Sequence, residues 1–485
     1  MDKRHTGLCC SRRHLLAQGA MGISSVALAW LLDRDKLLAE IPPQPEIGTP
    51  HYDLTPKPPL LPARARAMIS MFMVGGPSQI DLFDPKPLLE KYDGKAFPGV
   101  VKYDNSAQAS SKVLASPWRF NRCGQSGTEI TELLPFIGCV ADDITVIRSM
   151  HTGVDNHGQS MYALNTGRPL AGRPALGSWM TYGLGSESQE LPAFVALTHP
   201  NGAPLLGGEN WSNAWLPSVY QGTLIRPREP RILDLDPPES LRGTPQDRQL
   251  GYVDDLNEGH LENHPAESDL EARIASFELA ARMQTAAKEA LDISGESAAT
   301  RRLYGIDDPL TRDYGTRCLI ARRLVERGVR FVQIYNNGQT WDHHDHLVSA
   351  LPARCAEIDR PAAALVLDLK SRGLLDSTLV HWGGEMGRLP VIQNDAGRDK
   401  VGRDHNTYGF SMWLAGGGIR GGYVHGATDE FGHHAVTDVV HHYDYHATLL
   451  HLFGLDPSRL VYKRNGQAMT LTDRQDYRIV KELLA

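Results

Sequence analysis

The chain has 485 residues, of which 41% are hydrophobic and 22% are charged, a balance that is ordinary for a globular protein with a large core. The net charge of −7 and the lack of a basic patch with interleaved aromatic residues exclude a typical nucleic-acid-binding protein. Histidine is unevenly distributed, since twelve of the 20 histidines lie between His343 and His451.

The first forty residues predict an export signal. Arg12 and Arg13 precede a moderately apolar stretch from Leu15 to Leu32, as in the twin-arginine signals that export folded proteins. An ordinary N-terminal helix is the alternative interpretation. We therefore expect a periplasmic or cell-envelope protein that contacts a membrane only if this segment stays uncleaved.

The rest of the chain predicts one large domain. Residues 41–62 are Pro-rich and predict a linker, and residues 205–265 are rich in glycine and proline and predict an irregular insertion that caps a sheet edge. The predicted organisation is a signal at 1–40, the linker at 41–62, a single domain at 63–478 and a tail at 479–485.

Short apolar runs predict six buried strands. They lie at 67–76, 143–150, 192–198, 329–336, 377–384 and 410–417. Helical patterns at 267–291 and 351–375 fall between some of these runs. The alternation predicts an α/β fold with a mostly parallel sheet sandwiched by helices.

The six cysteines contain no Cys-x-x-Cys pair, which argues against a thiolate zinc site. Cys123, Cys139, Cys318 and Cys355 follow the signal, and both disulfides and buried free thiols fit their positions.

Polar segments follow four of the predicted strands. In sequence order these segments are "GGPSQIDLFD", "MHTGVDNHGQS", "WDHHDH" and "GGEMGR". Ligands of parallel sheets bind beyond the carboxyl ends of the strands, so we expect the four segments to meet at one edge.

The segment "WDHHDH" holds the strongest metal-ligand pattern. Asp342 is followed by His344 and His346, and both spacings can bring a carboxylate and an imidazole to one metal ion. His405 in "GRDHN" precedes the last predicted strand and would complete an Asp/His/His set with an open position. The alternative is a solvated polar loop behind a buried Trp341.

Three further residues are candidates for the same site. Glu385 leaves a buried strand and requires a partner, either an arginine such as Arg388 or a cation. His157, beside Asn156, is either a catalytic histidine or a loop histidine bonded to backbone.

A second histidine cluster lies at 432–454, and here structural roles are the favoured interpretation. Asp444 predicts the N-cap of an apolar helix that contains His446 and His451. The sequence contains no Gly-x-Ser-x-Gly elbow, Walker motif or convincing dinucleotide fingerprint, so serine hydrolases, nucleotide hydrolases and dehydrogenases lack support.

The chain resembles the domain of unknown function 1501 family, whose members are exported, twin-arginine-tagged and sulfatase-like. The resemblance runs from about residue 67 to 475. The stretches that carry it include "MFMVGGPSQIDLFDPKP", "GRPALGSWMTYGLGSE", "WDHHDH", "GGEMGRLP", "GRDHN" and "DYHATLLHLFGLD".

The family looks like a branch of the alkaline-phosphatase-like superfamily, whose members carry two metal sites and a Ser, Thr or formylglycine nucleophile. By this resemblance, His157 stands where the nucleophile is expected, and Glu385 and Met386 replace an aspartate and a histidine. Asp81 is the candidate substitute for the first metal aspartate. Asp342, with His344 or His346, and with His405, would preserve the other metal site.

The resemblance implies a metal-dependent hydrolase of sulfate or phosphate esters, with small-molecule or polysaccharide substrates. Zn²⁺ is the expected ion, and oxygen ligands from Glu385 or Asp81 would favour Mn²⁺ or Ca²⁺. His157 and Asn156 are the expected catalytic residues. The Cys/Ser-x-Pro-x-Arg signature of formylglycine formation is absent, so conventional sulfatase chemistry is not expected. The alternative function is a non-catalytic envelope protein that binds a polysaccharide or a protein partner.

Overall fold

The computed structural model describes residues 52–103, 110–264, 268–393, 397 and 399–485. The predicted export signal and the first part of the predicted linker lie outside these residues. The strands are β1 (Ala67–Phe72), β2 (Phe120–Cys123), β3 (Thr128–Thr131), β4 (Ile144–His151), β5 (Phe194–Leu197), β6 (Thr223–Ile225), β7 (Phe331–Tyr335), β8 (Thr378–Gly383), β9 (Gly387–Arg388), β10 (His405–Asn406), β11 (Phe410–Ala415), β12 (Tyr423–His425), β13 (Ala427–Thr428), β14 (Ala435–Thr437), β15 (Val440–His441), β16 (Tyr462–Arg464) and β17 (Gln467–Met469).

The helices alternate with the longer strands along much of the chain. They are α1 (Gln79–Leu82), α2 (Pro87–Tyr92), α3 (Pro135–Gly138), α4 (His157–Thr166), α5 (Leu176–Leu184), α6 (Thr244–Asn263), α7 (Ser268–Leu291), α8 (Ala298–Leu303), α9 (Arg312–Glu326), α10 (Leu347–Ser371) and α11 (His442–Leu452).

A nine-stranded sheet forms the centre of the fold. Its strand order is β12-β4-β11-β8-β1-β7-β5-β6, and β15 pairs with the end of β4. All neighbouring pairs are parallel except those of β11, which runs antiparallel to β4 and β8. The carboxyl ends of β1, β4, β7 and β8 therefore share one edge with the start of β11.

Every residue of β1, β7, β8 and β11 is buried, which explains their continuous apolar sequences. Helix α9 packs on β1 and β7, and α5 packs on β5 and β7. All six predicted strands lie in this sheet, and the helical patterns at 267–291 and 351–375 correspond to α7 and α10. The predicted fold class, α/β with a mostly parallel sheet and flanking helices, is confirmed.

Residues 205–265 are more regular than their composition predicts. They contain β6 and the 20-residue helix α6, which begins after Gly243 with a proline in its first turn, where proline is tolerated. A Cβ added to Gly251 or Gly259 inside α6 would meet no neighbouring atom within 4 Å, and the helix buries no residue. Without a buried apolar face, the helix leaves little hydrophobic pattern in the sequence.

The domain extends beyond both of its predicted boundaries, residues 63 and 478. Within the predicted linker, the amide of Lys57 donates to Leu184 O at 2.9 Å and that of Leu61 donates to Gly454 O at 2.9 Å. In the predicted tail, Val480 and Leu483 are buried. Residues 52–485 accordingly form one compact unit.

The four cysteines of this unit are free thiols, and Cys318 and Cys355 are buried. In the part of the chain that the structure describes, the helices lack the combination of length and apolar character that crossing a bilayer requires.

Candidate metal centre

Four side chains converge at the shared strand edge: His157, Asp342, His344 and His405. They offer ligand atoms that all lie within 4.8 Å of one another. The three imidazoles direct their Nε2 atoms at one carboxylate oxygen, Asp342 Oδ1. The distances to it are 2.9 Å from His344, 3.2 Å from His157 and 3.5 Å from His405.

The fold brings these residues from three separate segments. His157 is the first residue of α4, and the side chain of Asn156 caps this helix by accepting from the amide of Gln159 at 3.3 Å. Asp342 and His344 lie in the loop after β7, and His405 lies in β10, shortly before β11. The sheet topology therefore produces the convergence.

Two glycines allow the loops to approach closely. A Cβ on Gly75, whose φ is +113°, would lie 2.5 Å from the backbone nitrogen of Asp342. A Cβ on Gly402 would lie 2.1 Å from the carbonyl carbon of His344. Side chains at either position would force apart the loops that hold the cluster.

Each imidazole is also oriented through its other ring nitrogen. His157 Nδ1 lies 2.7 Å from Glu385 Oε1, and His405 Nδ1 lies 2.8 Å from the backbone oxygen of Asp155. His344 Nδ1 contacts the side-chain oxygen of Gln393. An acceptor at each Nδ1 keeps the proton of a neutral imidazole on that atom and leaves the lone pair on Nε2, and metal-binding histidines are commonly held in this way.

Glu385 is fully buried behind His157. Its Oε1 also accepts a hydrogen bond from the amide of Gly75 at 2.8 Å, while among the described residues its Oε2 has no hydrogen-bond partner. The carboxylate thus supports His157 from the side that faces away from Asp342.

Arg388 compensates the charge of Asp342. Its guanidinium lies 2.6 Å from Asp342 Oδ1 and donates to the backbone oxygens of Gly76 at 3.0 Å and Arg403 at 3.2 Å. Burial opposes ionisation of Asp342, but the three histidines and Arg388 hold the pKa of this carboxyl well below its usual range. Asp342 is therefore an anion at neutral pH.

The histidines differ in protonation although they share one carboxylate. Burial alone would lower the pKa of His157, but hydrogen bonds with Asp342 and Glu385 outweigh burial and raise the pKa to about 9. Burial lowers the pKa of His405, and the nearby Asp342 opposes this shift. In the metal-free protein, His157 is therefore protonated at neutral pH.

Three predicted ligands lie outside this group. His346 is half exposed and pairs with Asp345 at 3.0 Å, because its left-handed backbone (φ 49°) starts α10 and turns the side chain away. Asp81 is fully buried and forms a two-pronged ion pair with Arg403 at 2.8 and 3.1 Å. Glu385 contacts the cluster only through His157, and Asn156 acts as a helix cap.

Sequence reasoning identified Glu385 as a site candidate but missed the other two residues that orient the imidazoles. Gln393 and the carbonyl of Asp155 belong to no motif, and the sequence carries no signal for their roles. Arg388, one of the two alternative partners that the sequence suggests for Glu385, pairs with Asp342 instead.

The second histidine-rich segment does not assemble a comparable site. His446 Nε2 lies 2.7 Å from the backbone oxygen of Leu164. His441, not Asp444, is the N-cap of α11, and Asp444 accepts from the amide of His441 at 3.1 Å as the third helical residue. Among the described residues, the group around Asp342 is the only one with three or more potential ligand side chains within reach of one ion.

A cavity of about 800 Å³ lies elsewhere, lined by residues between 229 and 236 and between 288 and 301. It contains none of the four clustered residues. We place the functional site at the cluster because directed ligand atoms, not cavity size, determine metal chemistry.

Similarity to solved structures is remote. The lipoteichoic acid synthase LtaP from Listeria monocytogenes aligns at a TM-score of 0.35 and 10% identity, over 84% of this chain and 74% of that chain. The PsFucS1 sulfatase from Pseudoalteromonas sp. aligns at 0.33 and 16%, over 81% and 68%. The phosphonate monoester hydrolase SpPMH from Silicibacter pomeroyi aligns at 0.31 and 10%, over 69% and 71%. At these TM-scores the alignments carry no functional argument.

No curated protein matches the sequence. One family model, described as "Protein of unknown function (DUF1501)", matches residues 65–484 and so covers nearly the whole described domain.

Proposed function

The chain belongs to the DUF1501 family, and we propose that it is an exported, metal-dependent hydrolase of sulfate or phosphate esters with an alkaline-phosphatase-like architecture and an altered nucleophile site. One observation carries the proposal. Three imidazoles, each held through Nδ1, direct Nε2 at a single ionised carboxylate oxygen.

The donor set fits Zn²⁺ best. Two imidazole nitrogens and one carboxylate oxygen, with a fourth position open, match the arrangement of catalytic Zn²⁺ sites. The oxygen ligands that would favour Mn²⁺ or Ca²⁺ have other partners, since Glu385 bonds His157 and Asp81 bonds Arg403. Asp342, His344 and His405 would hold the ion with one position open, and His157 would stand beside that position.

A bound Zn²⁺ would polarise an ester oxygen and lower the pKa of a coordinated water. The protein residues supply orientation and proton transfer. Arg388 keeps Asp342 in place and ionised, and Glu385 fixes the tautomer of His157. With Nδ1 bonded to Glu385, His157 exchanges protons through Nε2, the atom that faces the centre, and so suits a general acid or base.

The first test is the metal content of the purified protein, measured by elemental analysis. We expect about one equivalent of metal in the wild type and near zero in the Asp342→Ala/His405→Ala double variant. The matched control is His346→Ala, which removes a histidine of the same loop that lies outside the group. A wild type that is metal-free and ignores added Zn²⁺ and Mn²⁺ would contradict the proposal.

The second test is a panel of sulfate monoesters, phosphate monoesters and phosphate diesters, assayed with Zn²⁺, Mn²⁺ and Ca²⁺. Turnover that disappears in His157→Ala but persists in His346→Ala supports the hydrolase. Metal-loaded protein that is inactive on every ester but retains a polysaccharide would support a binding protein on the same scaffold.

A further inference from the structure

Four partly exposed rings contact one another in succession at the sheet edge that holds the candidate metal centre. Tyr408 and His151 have ring centroids 5.8 Å apart, His151 and His441 are 5.5 Å apart, and His441 stacks on Tyr443 at 4.8 Å with an interplanar angle of 25°. We call these four residues the ring row. None of them belongs to the metal-ligand group.

The ring row is built on fixed elements. His151 ends β4 and His441 ends β15, and these two residues pair in register in the sheet. His441 also begins α11 through a capping box with Asp444. The ring nitrogen Nδ1 of His151 lies 3.4 Å from the backbone oxygen of Tyr408. A rigid row loses little conformational entropy when a ligand packs on it.

The ring row adjoins the candidate centre through shared backbone. Tyr408 follows His405 by three residues, and the intervening Thr407 accepts from the amide of Thr152 at 3.0 Å. Asp155 accepts from the Thr407 hydroxyl at 3.0 Å, and its backbone oxygen bonds His405. The Tyr408 end of the ring row is therefore joined by hydrogen bonds to the segments that hold His405.

A cation flanks each end of the ring row. Lys102 Nζ donates to the hydroxyl of Tyr408 at 3.3 Å, and Arg168 Nη1 donates to the hydroxyl of Tyr443 at 3.2 Å. Each cation is anchored by a carboxylate, Lys102 by Asp155 at 2.9 Å and Arg168 by Asp473 at 3.3 Å. An ammonium has three donors and a guanidinium five, so both retain N–H groups for an anion.

The two histidines between the tyrosines are uncharged at neutral pH. Burial lowers the pKa of His151, and burial together with His151 lowers the pKa of His441 to about 4. The middle of the ring row is thus uncharged, and the two cations, each paired with a carboxylate, lie at its ends.

From this arrangement we propose that the ring row is a binding subsite for an anionic oligosaccharide, a sugar chain that bears sulfate or phosphate groups. Sugar rings pack their apolar faces on Tyr408, His151, His441 and Tyr443, as apolar groups pack on aromatic faces. The anionic groups receive charge-assisted hydrogen bonds from Lys102 and Arg168. The inference deepens the proposed function by naming a substrate class, while binding itself requires neither metal nor turnover.

Binding is tested by calorimetry with dextran sulfate, phosphorylated dextran, unsubstituted dextran and polyglutamate. We expect both substituted dextrans to bind, with the tighter one identifying the anionic group, and dextran and polyglutamate to bind far more weakly. Equal binding of polyglutamate would mean that charge alone is recognised and would overturn the subsite. Failure of both substituted dextrans to bind would also overturn it.

Variants at the two ends of the row localise the binding. Tyr408→Ala and Tyr443→Ala should each weaken dextran sulfate binding about tenfold, while Tyr408→Phe should retain most of it. The matched control is Tyr252→Ala, which removes an aromatic ring that is 65% exposed on α6. The proposal would be overturned if both alanine variants bound dextran sulfate as tightly as the wild type does.

The Asp342→Ala/His405→Ala variant separates this proposal from the hydrolase. It should lose metal and turnover but retain dextran sulfate binding. If it binds normally and the wild type hydrolyses no ester, the subsite stands and the hydrolase fails. If it loses binding together with its metal while remaining folded, the row is not an independent subsite.

Discussion

Two histidine-rich segments of this protein place their imidazoles in different environments. In the segment around Asp342, carboxylates or other oxygens hold each imidazole, and the Nε2 atoms converge. In the segment around α11, His442 and His446 are buried among neutral groups, and burial lowers their pKa values to about 2 and about 4. Histidine density is therefore a poor guide to a metal site, and a buried carboxylate in the midst of the imidazoles is a better one.

The pKa values of histidines in the two segments are also shifted in opposite directions. Hydrogen bonds to Asp342 and Glu385 raise the pKa of His157 to about 9, so the folded metal-free protein binds this proton more tightly than the unfolded chain. His446 is held neutral by burial, so the folded protein binds its proton less tightly. The following predictions use this contrast.

The largest effect is expected from removing the shared carboxylate. Asp342→Ala should reduce the metal content from about one equivalent to near zero, because His344 and His405 alone would lack the anion that balances the ion. His446→Gln, in the second segment, should leave the metal content unchanged. Elemental analysis after gel filtration measures both. If the Asp342→Ala variant retains its metal, the metal binds outside this cluster.

Removing the support behind His157 should have a smaller effect. Glu385→Gln leaves the ligand set intact but replaces the anion at His157 Nδ1 with a neutral amide, and changes of this kind reduce metal affinity or activity about 10–100-fold. Competition with a chromogenic chelator measures the affinity. Unchanged affinity and unchanged turnover in Glu385→Gln would mean that His157 acts independently of Glu385.

The pH dependence of stability should separate the two segments. Because the pKa of His157 is raised, its contribution is fully present below pH 6.5 and is lost as pH rises towards 9, at a cost on the order of 2 kcal/mol in the metal-free protein. The lowered pKa of His446 acts in the opposite direction, and its contribution is lost as pH falls from 6.5 towards 4.

Urea unfolding in the presence of a chelator tests the two predicted pH dependences of stability. His157→Gln should flatten the decline in the free energy of unfolding between pH 6.5 and 9 and leave the acid side unchanged. His446→Gln should flatten the acid side alone. A His157→Gln profile parallel to that of the wild type above pH 6.5 would contradict the charge assignment.

The sequence predicted well which residues lie at the edge of the sheet. It predicted less well which side chains pair with one another there. Buried apolar strands placed Asp342, His157 and Glu385 at strand ends, and parallel pairing then requires these ends to meet. Which carboxylate meets which cation depends on side-chain directions that no spacing encodes. Asp81 fits the same rule as Asp342, yet it pairs with Arg403.

Local sequence patterns also failed to predict a helix that buries no side chain. Helix α6 buries no residue, so its 20 residues lack the apolar periodicity that would have distinguished them from an irregular insertion. The hydrogen bond from His344 Nδ1 to the side-chain oxygen of Gln393 joins loops 49 positions apart, and only the folded backbone brings them together. Long-range partners of this kind are beyond any motif.

The smallest expected effect concerns the choice between two neighbouring histidines. His344 and His346 both follow Asp342 at usable spacings, but only His344 faces the carboxylate, at 2.9 Å, while the His346 side chain is 54% exposed. His346→Ala should therefore change metal affinity less than about twofold and stability by no more than about 0.5 kcal/mol, as is usual for surface substitutions. His344→Ala, tested beside it, should lose most of the affinity, because it removes one of the imidazoles that would bind the ion. Similar losses in both variants would mean that the loop rearranges when metal binds and that its metal-free geometry does not identify the ligand.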